Sequence, residues 1–379
     1  MDNKDVLFVN IMGVGKNGTT LLGSLLDNHN ELSSFPMEMK FVEHFLHNVK
    51  RKNFLGLENF LFNKSKLILL NKNKANSLIQ DESERIVTGN LSQIDFDLAK
   101  FKKIFKDNIN FDLEEKNLEK ILKYFHLVLE KYLSKKFNDK VIIQDGAFGL
   151  RLIKDQINLF KNIKFLIIVR NPLDTYVSMK KIIKNFKYFR RFIGDFGVPE
   201  QKHIKNEEIN YKIINKIFSH YKNDKRFLFL KYEDLVENPQ KIMIKLSDFL
   251  QIKYSESMLK PSVFGQDWYG NSTRVKKKKS IDAKEVGKYF SNLNKNEINF
   301  IELSHKKFYK NFSYLENIKS FSLISSVKII FKIYIQNLLE AREVIPKKNF
   351  IVKYLYFTLI LNNYFLIRNL FHIEFSNEK

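Results

Sequence analysis

Short apolar runs alternate along this chain with stretches of helical spacing. Four of them, Val6–Ile11 (VLFVNI), Val141–Gln144 (VIIQ), Phe165–Val169 (FLIIV) and Phe227–Lys231 (FLFLK), are β-rich and apolar at successive rather than alternate positions. Unbroken apolarity marks a strand buried on both faces, as in a parallel sheet. Three of the four lead into helical periodicity. Strand followed by helix, repeated, predicts an α/β fold: a three-layer sandwich with a central parallel sheet. A crossover between parallel strands needs only about a dozen residues. Residues 43–140, rich in Lys, Asn, Leu and Phe at helical spacing, far exceed that and predict a helical insertion over the carboxyl edge of the sheet, where ligands of such folds bind. Lys181 to Lys225 reads as a second insertion. From about Ser320 two basic amphipathic stretches, separated by Pro346, predict a helical C-terminal extension, so the expected division is a main domain over 1–319 and an extension over 320–379.

Composition narrows the function classes only partly. The net charge of +23 suits a polyanion, a membrane surface or an anionic cosubstrate. Lys, Asn, Ile and Phe are abundant everywhere, however, so compositional bias explains the charge equally well. The absence of cysteine excludes disulfides and thiolate chemistry and suits a reducing cytosol. MDNKDVLFV lacks the features of a signal peptide, and the apolar-rich run Tyr354–Ile367, 14 residues long, is too short to span a bilayer. A cytoplasmic protein is expected, with peripheral contact to the inner face of a membrane through the basic C-terminal helices left open.

The chemistry-bearing stretch is GVGKNGTT, Gly13 to Thr20, between the first strand and the helix that opens with Leu21 and Leu22. Its Gly13-x4-Gly18 spacing is that of a phosphate-binding P-loop, in which backbone N–H groups and a helix N-terminus cradle an anion. Nucleotide triphosphatases follow the second glycine with Lys and Ser/Thr, which serve the outer phosphates and magnesium. Here those positions are Thr19 and Thr20, and the lysine lies inside the loop as Lys16. Such a P-loop NTPase-like cradle suits a phosphate carrying a transferable group better than a magnesium-bridged triphosphate.

A second constellation follows the third apolar run. In VRNPLDTYVS, Arg170 leaves the strand, Asn171 is a natural N-cap, Pro172 takes the first helical position and Ser178 follows two turns on. An arginine beside a helix N-terminus is a fork for phosphate oxygens.

Taken together, KNGTTLL with LL-D-x-H, VR-N-P-x5-S and KYEDLVENP resemble the sulfotransferase superfamily that uses 3′-phosphoadenosine 5′-phosphosulfate (PAPS), in particular its tyrosylprotein and bacterial carbohydrate branches. The resemblance covers the sheet core and stops short of the insertions and the tail. It implies that Lys16, Asn17, Gly18, Thr19 and Thr20 bind the 5′-phosphosulfate and that Arg170 and Ser178 bind the 3′-phosphate. It further implies that Tyr232 lies near the nucleotide, that Ser272 and Lys288 belong to a loop closing on the cosubstrate, and that no metal is needed. The implied acceptor is a hydroxyl (or amine), on a carbohydrate by analogy with bacterial relatives, with lipid-linked acceptors and tyrosine peptides also in view; no nucleic acid is expected.

Sulfuryl transfer needs a base for the acceptor hydroxyl and cations for the charge on the bridging oxygen. Lys16 is the candidate for the second task. Glu38, in FPMEMKF just past a strand-like stretch, resembles the catalytic base of related branches, with Glu43 as the competing carboxylate. Relatives commonly carry a Lys-x-Pro segment where this chain has QDGAFGLR; Asp145 stands at the lysine, and Arg151 is a substitute one turn on. His44 and His47 have metal-compatible spacing without a third ligand, and the Lys- and Phe-rich KNFKYFRRF reads as a solvated helix rather than a nucleobase platform. Lys276 to Lys279 border the proposed closing loop. An ATP- and magnesium-dependent kinase, or a nucleotide-binding module without turnover, are the alternative classes.

Overall fold

A computed structural model describes residues 6–35, 38–50, 62, 94–107, 118–144, 146–185, 199–267, 281–314, 322, 324–329 and 331–332. Five parallel strands form the central sheet: β1 (Leu7–Gly13), β2 (Ser33–Ser34), β3 (Lys140–Gln144), β4 (Ile163–Val169) and β5 (Phe227–Lys231), in the order β2-β3-β1-β4-β5. Every residue of β1 is buried, which accounts for its unbroken apolar run. Its one polar member, Asn10, donates to the Oε1 of Gln156 at 2.6 Å, satisfying a buried amide inside the sheet layer. β1 is held in register by β3 on one side (Val9 opposite Ile142) and β4 on the other (Asn10 opposite Phe165).

Helix α1 (Thr19–Leu26) returns from β1 and buries Leu22, Leu25 and Leu26 against it. The insertion before β3 is helical where described: α2 (Phe41–Lys50), α3 (Leu98–Asp107) and α4 (Leu118–Tyr132). Phe125 of α4 meets Phe35, Phe41 and Phe101 edge-on, at ring separations of 5.7, 5.1 and 5.9 Å. α4 therefore runs beside β2, at the margin of the sheet. The stretch expected over the carboxyl edge includes 51–61 and 63–93, outside the described residues. Between β3 and β4 come the short α5 (Gly146–Gly149), a 3₁₀ turn and α6 (Ile153–Leu159).

The chain divides into two compact units, Met1–Arg170 with Lys216–Val286, and Asn171–Asn215 with Gly287–Lys379. The first holds the whole sheet, together with the C-terminal end of α8 (Pro199–Tyr221), α9 (Tyr232–Glu237), α10 (Pro239–Leu250) and a small antiparallel hairpin of Ser262–Val263 with Gln266–Asp267. The second holds α7 (Pro172–Asn185), α11 (Tyr289–Asn292), α12 (Lys295–Ser304) and α13 (Lys306–Asn311), around a core of Leu173, Val177, Leu293, Ile301 and Tyr309. Most of the predicted C-terminal extension, 333–379, lies outside the described residues. Among the described residues no helix is long and apolar enough to cross a membrane.

Candidate active site

The loop after β1 is shaped by contacts that only glycine permits. A Cβ on Gly13 would stand 2.5 Å from the carbonyl oxygen of Ile168 in β4, and one on Gly18 would stand 2.5 Å from the ring of Tyr232. Gly18 has φ +99° and is the N-cap of α1, with no side chain capping the helix and no acid in its first turn. Lys16 has φ +66°, in the left-handed region that non-glycine residues seldom occupy. Such conformations persist where the surroundings impose them, and here the imposing group is visible: Arg170 Nη1 donates to the Lys16 carbonyl at 3.1 Å.

Arg170 is 5% exposed at the end of β4. Its Nη2 donates to the carbonyl of Glu285 at 3.0 Å, and its guanidinium carbon lies 4.3 Å from the centre of the Tyr232 ring. Tyr232 opens α9 directly after β5, so its ring packs against both the glycine of the loop and the arginine of the next strand. One buried tyrosine thereby joins the carboxyl ends of β1, β4 and β5. Arg170 is thus neither an exposed side chain nor, in the bonds just described, half of a surface ion pair. It cross-braces the loop.

Glu38 follows β2, and its carboxylate rests on Gly146, the residue that opens α5 beyond the end of β3. A Cβ at Gly146, whose φ is +57°, would approach Glu38 Oε1 to 2.8 Å. β3 and β1 are neighbours in the sheet, so this seat brings Glu38 to the strand end beside that of the glycine loop. The competing Glu43 is half-buried in the first turn of α2. Asp145 lies outside the described residues, as do Ser272 and Lys276 to Lys279; Arg151 is exposed in the 3₁₀ turn. His44 is half-buried, and the described residues contain no group of three or more His, Cys, Asp or Glu able to hold a metal.

In the second unit, Asn171 caps α7 by accepting from the Leu173 N–H at 3.0 Å, as its place before Pro172 predicts. Ser178 is half-buried on that helix. One turn earlier Asp174, 2% exposed, accepts from the N–H groups of Gly287 at 2.8 Å and Tyr289 at 3.1 Å. Those two residues flank Lys288.

Sequence reasoning missed Asp174, Gly146 and Glu285. An acid in a first helical turn reads as a charge complementing the helix dipole, which conceals the distant backbone it holds. Gly146 carries a signal, a glycine directly behind a strand, but its partner is 108 positions away in the chain. Glu285 meets Arg170 through its carbonyl, which no side-chain pattern reports.

A family model for the sulfotransferase family matches residues 9–256, more than half of the chain. The chain belongs to the sulfotransferase family. This sulfotransferase is similar in fold to several solved structures. The sulfotransferase domain of the Synechococcus PCC 7002 olefin synthase is 19% identical with a TM-score of 0.47, covering 84% of this chain and 98% of that one. The sulfotransferase domain of the curacin biosynthetic pathway is 15% identical with a TM-score of 0.49, covering 83% and 99%. Sulfotransferase STF9 from Mycobacterium avium is 10% identical with a TM-score of 0.39, covering 84% and 79%. No curated protein sequence matches the chain. The family match includes Lys16, Glu38, Arg170, Ser178 and Tyr232, and ends before Lys288.

Proposed function

We propose that this sulfotransferase moves a sulfuryl group from PAPS to a hydroxyl (or amine) on a carbohydrate or other cell-surface precursor. The observation that carries the reading is the pairing of two neighbouring strand ends: a cationic glycine loop after β1 and a carboxylate seated on Gly146 after β3. The donor supplies the sulfuryl group and departs as adenosine 3′,5′-bisphosphate. The residues present fit such a polyanion. α1 begins without a capping side chain or an acid in its first turn, and Lys16, Thr19 and Thr20 add one ammonium and two hydroxyls.

In this reading the backbone of Gly18 to Thr20, with Asn17, holds the 5′-phosphate. Lys16 offers positive charge to the bridging oxygen as its bond to sulfur breaks. Glu38 takes the proton of the acceptor hydroxyl while that oxygen bonds to sulfur. Arg170, Ser178 and Lys288 serve the 3′-phosphate, with Ser272 in the same closing segment. Tyr232 is assigned a supporting part, a shelf beneath Gly18 and Arg170. The protein works in the cytoplasm, and its basic C-terminal stretch supplies any contact with an anionic membrane surface.

The test uses radiolabelled PAPS with a panel of glycans, glycolipids and tyrosine peptides, comparing wild type with Lys16→Ala and Glu38→Gln. Labelled product that falls at least about a hundredfold in both variants supports the assignment. Tight binding of adenosine 3′,5′-bisphosphate without label in any acceptor would identify a binding module, and magnesium-dependent ATP turnover a kinase.

A further inference from the structure

Asp174 uses its two carboxylate oxygens in a way that neither helix capping nor charge pairing explains. Oδ2 accepts from the Gly287 N–H and Oδ1 from the Tyr289 N–H, so one buried side chain holds the backbone at two points that bracket Lys288. Holding the chain at these two points restricts the course of the backbone through Gly287 and Lys288, and with it the direction in which the Lys288 side chain leaves. Gly287, at φ +73°, supplies the turn that lets the segment reach the carboxylate. The segment is docked further along as well. Tyr289 packs with Leu173 and Val177 of α7, and Lys180 pairs with Glu297, which also closes the capping box of α12. Ser178 lies four residues beyond Asp174, on the same face of α7.

A carboxylate beside an anion-binding position is electrostatically unfavourable unless hydrogen-bond donors balance it. Here two backbone N–H groups do so. We propose that Asp174 is a positioning residue: by anchoring Gly287 and Tyr289 it presents Lys288 alongside Ser178, so that ammonium and hydroxyl serve one phosphate group. Resting on the functional reading above, that group is the 3′-phosphate of the nucleotide, and Asp174 governs discrimination between a 3′-phosphorylated nucleotide and one without it.

The test measures binding of adenosine 3′,5′-bisphosphate and of adenosine 5′-monophosphate to the full chain by titration calorimetry, with thermal melting recorded for each variant. Wild type is expected to favour the bisphosphate. In Asp174→Asn one amide oxygen remains as acceptor and the NH2 group faces the other N–H donor. The bisphosphate preference then falls roughly tenfold, while affinity for the monophosphate stays within about twofold. Asp174→Ser, which keeps a single small acceptor, gives the same pattern and serves if the asparagine variant does not fold. Lys288→Ala abolishes the same increment with an unchanged melting temperature. A bisphosphate preference retained in the Asp174 variants, or an equal loss for both nucleotides, overturns the proposal and leaves the functional reading intact. Failure of both Asp174 variants to fold assigns the residue a structural role and also overturns it. A wild-type ratio near one instead defeats the assignment of Ser178 and Lys288 to the 3′-phosphate, and this inference with it.

Discussion

Replacing Gly146 with alanine moves the proposed base without touching any residue of the nucleotide cradle. The new Cβ would stand 2.8 Å from Glu38 Oε1 and 2.9 Å from its carboxyl carbon, too close by several tenths of an ångström. The obstructing atoms are the far end of a flexible side chain, so the glutamate swings aside rather than the backbone yielding. The stability cost is then mainly that of a non-glycine residue at φ +57°, about 1 kcal/mol, or a fall of about 1–2 °C in Tm for a chain of this size. The chemical cost is larger, because a reacting group displaced by about 1 Å loses on the order of a hundredfold in rate. The assay is steady-state sulfuryl transfer with saturating donor, beside calorimetric binding of adenosine 3′,5′-bisphosphate. G146A should lower kcat about a hundredfold, bind the nucleotide within about twofold of wild type, and melt almost normally. A kcat within about threefold of wild type would refute the seat of Glu38 as the position of the base. Lost nucleotide binding would show that Gly146 supports the cradle instead.

Two further outcomes follow from the same geometry. Tyr232→Phe keeps the ring on Gly18 and Arg170 and should bind nucleotide within about threefold of wild type. Tyr232→Leu removes the cation–π contact and the shelf, and should weaken nucleotide binding roughly tenfold in calorimetry; equal affinity for the two variants would refute the shelf. Burial pushes the carboxyl of Glu130, 3% exposed, up to about 7. A raised carboxyl value means the folded state binds the proton more tightly than the unfolded chain, so this contribution is fully present below about pH 4.5 and lost as pH rises through about 7. Glu130→Gln should therefore gain stability relative to wild type between pH 5 and 8, on the order of 2 kcal/mol by chemical denaturation; a difference that is flat or falls with pH contradicts the burial argument.

What the sequence revealed and what it hid divide along physical lines. β1 and β4 were legible because strands covered on both faces must be apolar throughout, and their runs fall within a residue or two of the observed strands. The glycine loop was legible because its spacing is local. β2 is only two residues long; the strand-like stretch before Glu38 hinted at it, but its register on β3, Ser33 opposite Val141, is set by a remote partner and leaves no local trace. The packing of Tyr232, 9% exposed, on Gly18, 214 positions earlier, was not legible, because contact between remote segments leaves no periodic trace. QDGAFGLR stood out as a departure from a lysine pattern, yet the glycine within it is what gives Glu38 room, a relation visible only once β2 and β3 lie side by side.

The most direct test of the central claim is a crystal structure of the full chain with adenosine 3′,5′-bisphosphate. The 5′-phosphate is expected within hydrogen-bonding distance of the backbone N–H groups of Gly18 to Thr20, and the 3′-phosphate on Arg170, Ser178 and Lys288. A nucleotide bound away from the β1 loop, or one whose two phosphates leave either set of residues untouched, would contradict it.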